Sequence, residues 1–266
     1  MVGVWWLWGR VWCWLATTLM IVGCATEYNL ATGREEAIYI TDEREVQMGR
    51  NISEALEEKV ELSDDPLLEG RVDRIGQRLA AVSDRKDIPY RFRVLAEDEV
   101  NAVALPGGFI YVYQGLVEKA ENDDELAGVL AHEIGHVAAK HVAKRLQGSL
   151  GYTVLKVLML AGRADARLHQ GADLAYSQLL LAYSREDELE ADRLAVKYMK
   201  AVGYDPDAMI HFLETLREVD REGPLRPKHY SRTHPYTGDR IRTVRQEIHG
   251  NIEFDDYLNT SGGDAF

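Results

Sequence analysis

The chain has 266 residues and carries 31 lysines and arginines against 44 aspartates and glutamates, a formal net charge of −13. With no basic cluster, that balance argues against nucleic acid as a partner and offers no patch for anionic lipid headgroups. The length suits one domain with a sizeable core and room for a small accessory lobe.

Arg10 is the only charge in residues 1–23, and residues 11–23 are a mainly apolar run without a charge. That run is too short to span a bilayer comfortably and matches the h-region of a signal peptide; an uncleaved anchor is the competing reading. It ends in Ile21-Val22-Gly23-Cys24, which resembles the lipobox of bacterial lipoproteins. Residues 1–23 are therefore expected to leave, with Cys24 becoming a lipid-modified N-terminus that anchors the protein to a membrane. Ala25 follows, rather than aspartate, which by resemblance to bacterial sorting rules favours the periplasmic face of the outer membrane. The other cysteine, Cys13, lies in the leader, so no disulfide is expected.

Residues 24–41 read as a tether, with Asn29 and Gly33 interrupting any periodicity. Helix is expected from about 42 toward 60 with Thr41 as N-cap, then from Asp65-Pro66 to about 82. Residues 90–95 alternate apolar and charged side chains, a strand with one wet face. The apolar runs 101–105 and 109–113 flank Pro106-Gly107-Gly108 and read as a hairpin. Further helices are expected at about 114–121, 124–147, 150–161, 185–202, 206–221 and 238–248. A few strands followed by helices gives an α+β class, mainly helical, with one domain over 42–250 and a tail at 251–266. The apolar stretch at 150–161, interrupted by Lys156, reads as a core helix or a flap rather than a membrane contact.

The chemistry concentrates in His132-Glu133-Ile134-Gly135-His136. Two histidines four apart on a helix lie ~40° apart around the axis and ~6 Å along it, so both rings reach one point. Neutral imidazole suits zinc, and a glutamate beside the metal can take a proton from metal-bound water. Val129, His132, His136 and Ala139 share one stripe, while Lys140, Lys144 and Gln147 mark a solvated face. His141 lies ~140° around that helix from His136, so it cannot share the ion and reads as a surface or capping residue.

Two histidines need a third protein ligand. In the helix from Ser184 to Arg193, helical phase puts Glu188 and Asp192 on a core-facing stripe with Ala195 and Met199. Glu186, Glu190, Arg193 and Lys197 fall on the opposite, charged face, where they read as ordinary surface pairs. Glu188 is thus the expected third ligand of one zinc ion. Asp192, one turn on, is placed to hold the free ring nitrogen of a liganding histidine.

These residues form a series: 101–108 (Asn-Ala-Val-Ala-Leu-Pro-Gly-Gly), the 132–136 motif, Glu188 to Asp192, and Thr233-His234-Pro235. In that order the sequence resembles metallopeptidase family forty-eight, the gluzincins, over about residues 24–248. The lipobox and Ala31-Thr32-Gly33-Arg34 are similar to the family's outer-membrane and periplasmic branch. The resemblance implies a zincin-like domain whose small sheet presents an edge hairpin before the zinc helix. It implies zinc-dependent cleavage of peptide bonds with Glu133 as general base. Asn101, Ala102, Val103 and Ala104 would form the edge on which an extended polypeptide adds as a strand. It also puts His234 over the site, either stabilising an oxyanion or taking the open fourth position on zinc. Pairing through main chain reads shape rather than sequence, so unfolded or unassembled envelope proteins are the expected substrates. A chaperone-like assembly lipoprotein with little or gated peptidase activity is the alternative.

Overall fold

A computed structural model describes residues 26–160, 166–222 and 230–250. The expected leader at 1–23, Cys24 and the tail at 251–266 lie outside the described residues. Strands β1 (Glu27–Asn29) and β2 (Arg34–Glu36) pair antiparallel in a hairpin. Gly33, at φ 66°, closes its turn by donating its N–H to the Asn29 carbonyl at 2.8 Å. The segment expected as a tether is therefore folded in part, and it is docked. Glu27 pairs with Lys140, Glu36 with Lys144, and the Ala37 carbonyl accepts from Gln147. The face expected to be solvated is covered here, and Lys140 is buried.

Helix α1 (Asp42–Glu57) buries Met48, Ile52, Ala55 and Leu56 on one stripe. Thr41 holds its N-cap position without a side-chain capping bond. Helix α2 (Pro66–Ala80) has the proline in its first turn, and the Asp65 carboxylate accepts from the N–H groups of Leu67 and Leu68. Strands β3 (Arg91–Leu95), β4 (Ala102–Leu105) and β5 (Phe109–Tyr113) form one sheet in the order β3–β5–β4. β5 runs parallel to β3 and antiparallel to β4, with Leu105 opposite Phe109. The β4–β5 turn carries Gly107 at φ 69°, where a Cβ would lie 2.5 Å from the Val46 backbone, so only glycine fits.

Helix α3 (Gln114–Lys119) leads into α4 (Asp123–Ala138), which carries the histidine motif and is buried almost all round. The single helix expected over 124–147 is two: α4 ends at Ala138, and α5 (His141–Ser149) begins after Lys140, which has a left-handed φ of 57°. Two tertiary interactions favour the break. Arg85 donates to the Val137 carbonyl at 2.8 Å, and the Lys140 amine is held by Glu27 and Asp42. Helix α6 (Tyr152–Leu160) packs on α1 through Leu155 and Leu158, leaving Tyr152 and Leu160 exposed. Helix α7 (Ala166–Leu179), absent from the sequence-based expectation, buries Leu168, Ala172, Ala175 and Leu179. Helices α8 (Arg185–Val202), α9 (Asp207–Glu222), α10 (Tyr230–Thr233) and α11 (Thr237–His249) complete the domain. No helix among the described residues is long and apolar enough to cross a membrane.

One buried ion pair joins three of these parts. Arg85 donates to both oxygens of Glu45 at 3.1 and 2.9 Å, while Glu45 also accepts from the Gly107 N–H at 3.1 Å. Together with the bond to Val137, this ties α1, the hairpin turn and the end of α4 to one point. Glu45→Ala would leave Arg85 buried without its main partner. We expect it to lower stability by about 3–5 kcal/mol; a shift of the urea midpoint measures this, and an unchanged midpoint would show the network to be dispensable.

Candidate metal centre

Helix α4 begins at Asn122, whose side chain accepts from the Glu125 N–H at 2.9 Å, with acidic residues in the first turn. Helix α8 begins at Ser184, which caps the Asp187 N–H, and ends at Gly203 in a left-handed C-cap. The two helices pack closely at Gly135, where a Cβ would lie 2.9 Å from the Ala191 carbonyl oxygen. This approach brings the α4 histidines against Glu188 and Asp192 in the first turns of α8.

His132, His136, Glu188 and His234 form one buried cluster, each offering a ligand atom, with these atoms all within 4.8 Å of one another. The Nε2 atoms of His132 and His136 are 3.0 Å apart. Glu188 approaches them with Oε2 at 3.5 Å and Oε1 at 3.3 Å, respectively. His234 Nδ1 lies 3.3 Å from His132 Nε2 and 3.1 Å from Glu188 Oε1. A tetrahedron around a cation with bonds of ~2.0–2.1 Å has edges of ~3.3 Å, close to these separations, which Glu188 makes with Oε2 toward His132 and with Oε1 toward His136 and His234. Glu133 Oε2 is buried without a hydrogen-bond partner, and Glu188 Oε2 makes no hydrogen bond, facing Arg240 Nη1 at 3.3 Å. Such atoms are costly in an apolar interior and expected beside a cation and its water. The residues present therefore fit a divalent metal held by His132, His136 and Glu188, with His234 at the fourth corner.

Around this cluster lies a charged shell. Asp192 Oδ1 is 2.8 Å from His132 Nδ1, and Arg240 donates from Nη2 to the same Asp192 oxygen at 2.8 Å. Arg240 Nη1 lies 3.3 Å from Glu188 Oε2. Burial disfavours the charge of Glu188, but His234, Arg240 and His132 outweigh it and hold this carboxyl well below the ordinary carboxylate range. Burial opposes ionisation of Asp192 too, and Arg240 and His132 again outweigh it. At His132, burial and Arg240 oppose protonation, yet Asp192 and Glu188 raise its pKa. Burial drives His136 well below its ordinary value, leaving a neutral ring suited to a metal.

Glu133 is fully buried, with Oε1 3.4 Å from both the Tyr230 hydroxyl and His234 Nε2. Asn101, Ala102, Val103 and Ala104 lie at the sheet edge but are buried rather than open. The Tyr230 N–H donates to the Val100 carbonyl at 2.8 Å, and Thr233 Oγ1 donates to Asn101 Oδ1 at 3.3 Å, so the segment bearing His234 is docked there.

Four side chains at the site escaped the sequence reading. His141, expected at the surface, is buried with its Nδ1 3.0 Å from His136 Nδ1. Glu190, expected in ordinary surface pairs, meets His141 Nε2 at 3.2 Å. Tyr183 stacks on His136 with ring centres 3.9 Å apart. Arg240 shares a buried stripe with Val244, and an arginine on an apolar helical face was the available signal.

Comparison with known proteins agrees with this geometry. Residues 66–248 match the model of "Peptidase family M48". The chain is 30% identical over 241 residues to the Beta-barrel assembly-enhancing protease of Escherichia coli K12, covering 86% of this chain and 47% of that protein. It is 31% identical over 176 residues to the Mitochondrial metalloendopeptidase OMA1 of Schizosaccharomyces pombe, covering 66% and 51%. It is 29% identical over 183 residues to the Metalloprotease YcaL of E. coli K12, covering 66% and 70%. The chain thus spans about half the length of the barrel-assembly relative.

The α4–α8 approach should be a sharp constraint on the site. In Gly135→Ala the added methyl meets the Ala191 backbone, so one helix must shift and the α4 histidines with it. Metal affinity should fall roughly tenfold or more, as read by chelator competition; wild-type affinity would show that the helices absorb the methyl without moving the ligands.

Proposed function

The chain belongs to peptidase family M48, and from that premise we propose that it is a zinc-dependent metalloendopeptidase acting on unfolded or unassembled proteins of the bacterial envelope. The observation that carries the reading is the buried cluster of His132, His136, Glu188 and His234 with a carboxyl oxygen, Glu133 Oε2, left unpartnered beside it. Zinc, when bound, acidifies a water and polarises a carbonyl. Glu133, with Oε2 unpartnered, would take a proton from water at the site and return it to the leaving amine, while Tyr230 steadies its other oxygen. Asp192 holds His132 through its outer ring nitrogen, and Arg240 holds Asp192.

An extended substrate would pair with the β4 edge at 101–104. In the closed arrangement that edge is engaged by the segment carrying His234, and His234 occupies the fourth corner. Both features support a gated enzyme: displacement of the 230–234 segment would free the edge and the fourth position in one movement. The same closure favours the second reading, an assembly factor that binds barrel proteins and cleaves rarely. The similarity to the Beta-barrel assembly-enhancing protease supports an envelope role, and the lipobox-like 21–24 supports anchoring at Cys24 to the outer membrane.

Incubation of casein or an unfolded outer-membrane protein with wild type and Glu133→Gln tests the chemistry. The variant should keep its metal and lose cleavage by several orders of magnitude; equal cleavage would sink the proposed mechanism. A binding factor would instead retain its cellular function when this base is lost. His234→Ala should keep zinc and raise basal proteolysis or self-cleavage, seen as fragments on storage. Abolished cleavage with zinc retained would assign His234 to oxyanion stabilisation instead.

A further inference from the structure

The two α4 histidines are supported differently at their outer nitrogens. His132 meets a carboxylate directly, Asp192 at 2.8 Å. His136 meets another imidazole: its Nδ1 lies 3.0 Å from Nδ1 of His141. His141 Nε2 in turn lies 3.2 Å from Glu190 Oε2 and 3.4 Å from Asp187 Oδ1. Beyond them Arg34, on the β1–β2 hairpin, donates to both oxygens of Glu190 at 2.7 and 2.8 Å. His141 is 3% exposed, so this is an interior contact.

The polarity of this series follows from the site. His136 turns Nε2 toward the cluster, 3.3 Å from Glu188 Oε1. A ring that gives its Nε2 lone pair to a cation carries its hydrogen on Nδ1. A hydrogen bond between two Nδ1 atoms then has one direction, with His136 donating and His141 accepting. His141 must keep its own hydrogen on Nε2, which faces the carboxylates of Glu190 and Asp187. The break at Lys140 makes the contact possible. Had α4 continued, His141 would lie ~140° around the axis from His136, out of reach. The left-handed Lys140, at φ 57°, swings the start of α5 back over the ligand.

We propose that His141 is a positioning residue that sets the tautomer and ring orientation of His136, with Glu190 orienting His141 and Arg34 holding Glu190. The arrangement is a carboxylate–histidine–metal support lengthened by one imidazole. Tyr183, stacked on His136 at 3.9 Å, fixes the face of the ring, and His141 fixes its edge. The inference rests on His132, His136 and Glu188 as metal ligands.

The test compares zinc affinity, by chelator competition, in wild type, His141→Leu, His141→Asn and Glu190→Gln, with thermal midpoints recorded alongside. His141→Leu leaves the His136 N–H buried without an acceptor and should weaken zinc roughly 10- to 100-fold. In His141→Asn the amide oxygen can take the place of the accepting nitrogen, so most of the affinity should return. Glu190→Gln should cost only a few-fold. Nitrogen-15 spectra of zinc-loaded wild type should show His141 with its hydrogen on Nε2 alone, a readout that needs no variant to fold. A hydrogen on Nδ1 of His141 would overturn the proposal. So would wild-type affinity in His141→Leu, or an Asn variant as weak as the Leu variant at equal thermal midpoints. A wild type that takes up no zinc would instead remove the metal centre itself.

Discussion

Two carboxyl side chains, Glu188 and Asp192, lie fully buried against the Arg240 guanidinium, and a third, Glu133, is buried beside Tyr230 and His234. Buried acids without compensation are costly, and the rest of the site is organised to meet that cost. Arg240 bridges Asp192 and Glu188, and His132 takes Asp192 on its outer nitrogen. A divalent cation among His132, His136, Glu188 and His234 would answer the charge left over. The close approach of α4 and α8 at Gly135 is what lets these groups meet. A residue with a side chain at that position would hold the α4 ligands away from Glu188.

The sequence made legible those features that depend on local periodicity. Helical phase separated Glu188 and Asp192 from Glu186 and Glu190, and α8 carries the first pair buried. The turn at Pro106–Gly108 and the proline start of α2 followed from the conformations those residues prefer. What was illegible arose from tertiary contacts. Lysine has no preference for a left-handed backbone, and Lys140 adopts it where Arg85 takes the Val137 carbonyl and Glu27 and Asp42 hold its amine. Periodicity alone, which does not show the break, places His141 on the wrong side of a continuous helix. The β1–β2 hairpin has three-residue strands, too short for alternation to register. Helix α7 was different: Leu168, Ala172, Ala175 and Leu179 carry a helical spacing that was available to be read.

The segment that carries His234 is tied at both ends. The chain from 230 to 234 makes main-chain contact with Val100 at one end, and at the other the Thr233 carbonyl accepts from the Tyr183 N–H at 3.1 Å. Tyr230 stacks on His234 with ring centres 4.3 Å apart. A segment tied to the sheet edge and to the metal cluster together can report substrate arrival at one by release of the other. The N-terminal hairpin reaches the opposite side of the same cluster through Arg34, Glu190 and His141. The metal helix is thus braced from two directions, and only one of the braces lies on the path proposed for substrate.

The central claim is that the buried cluster is a zinc site with His132, His136, Glu188 and His234 around the ion. Zinc-edge X-ray absorption on the purified protein addresses it most directly. One zinc per chain, four nitrogen and oxygen neighbours at ~2.0–2.1 Å, and multiple scattering from three imidazoles are expected. Substoichiometric zinc after purification in metal-replete buffer, or a shell with fewer than three imidazoles, would contradict it.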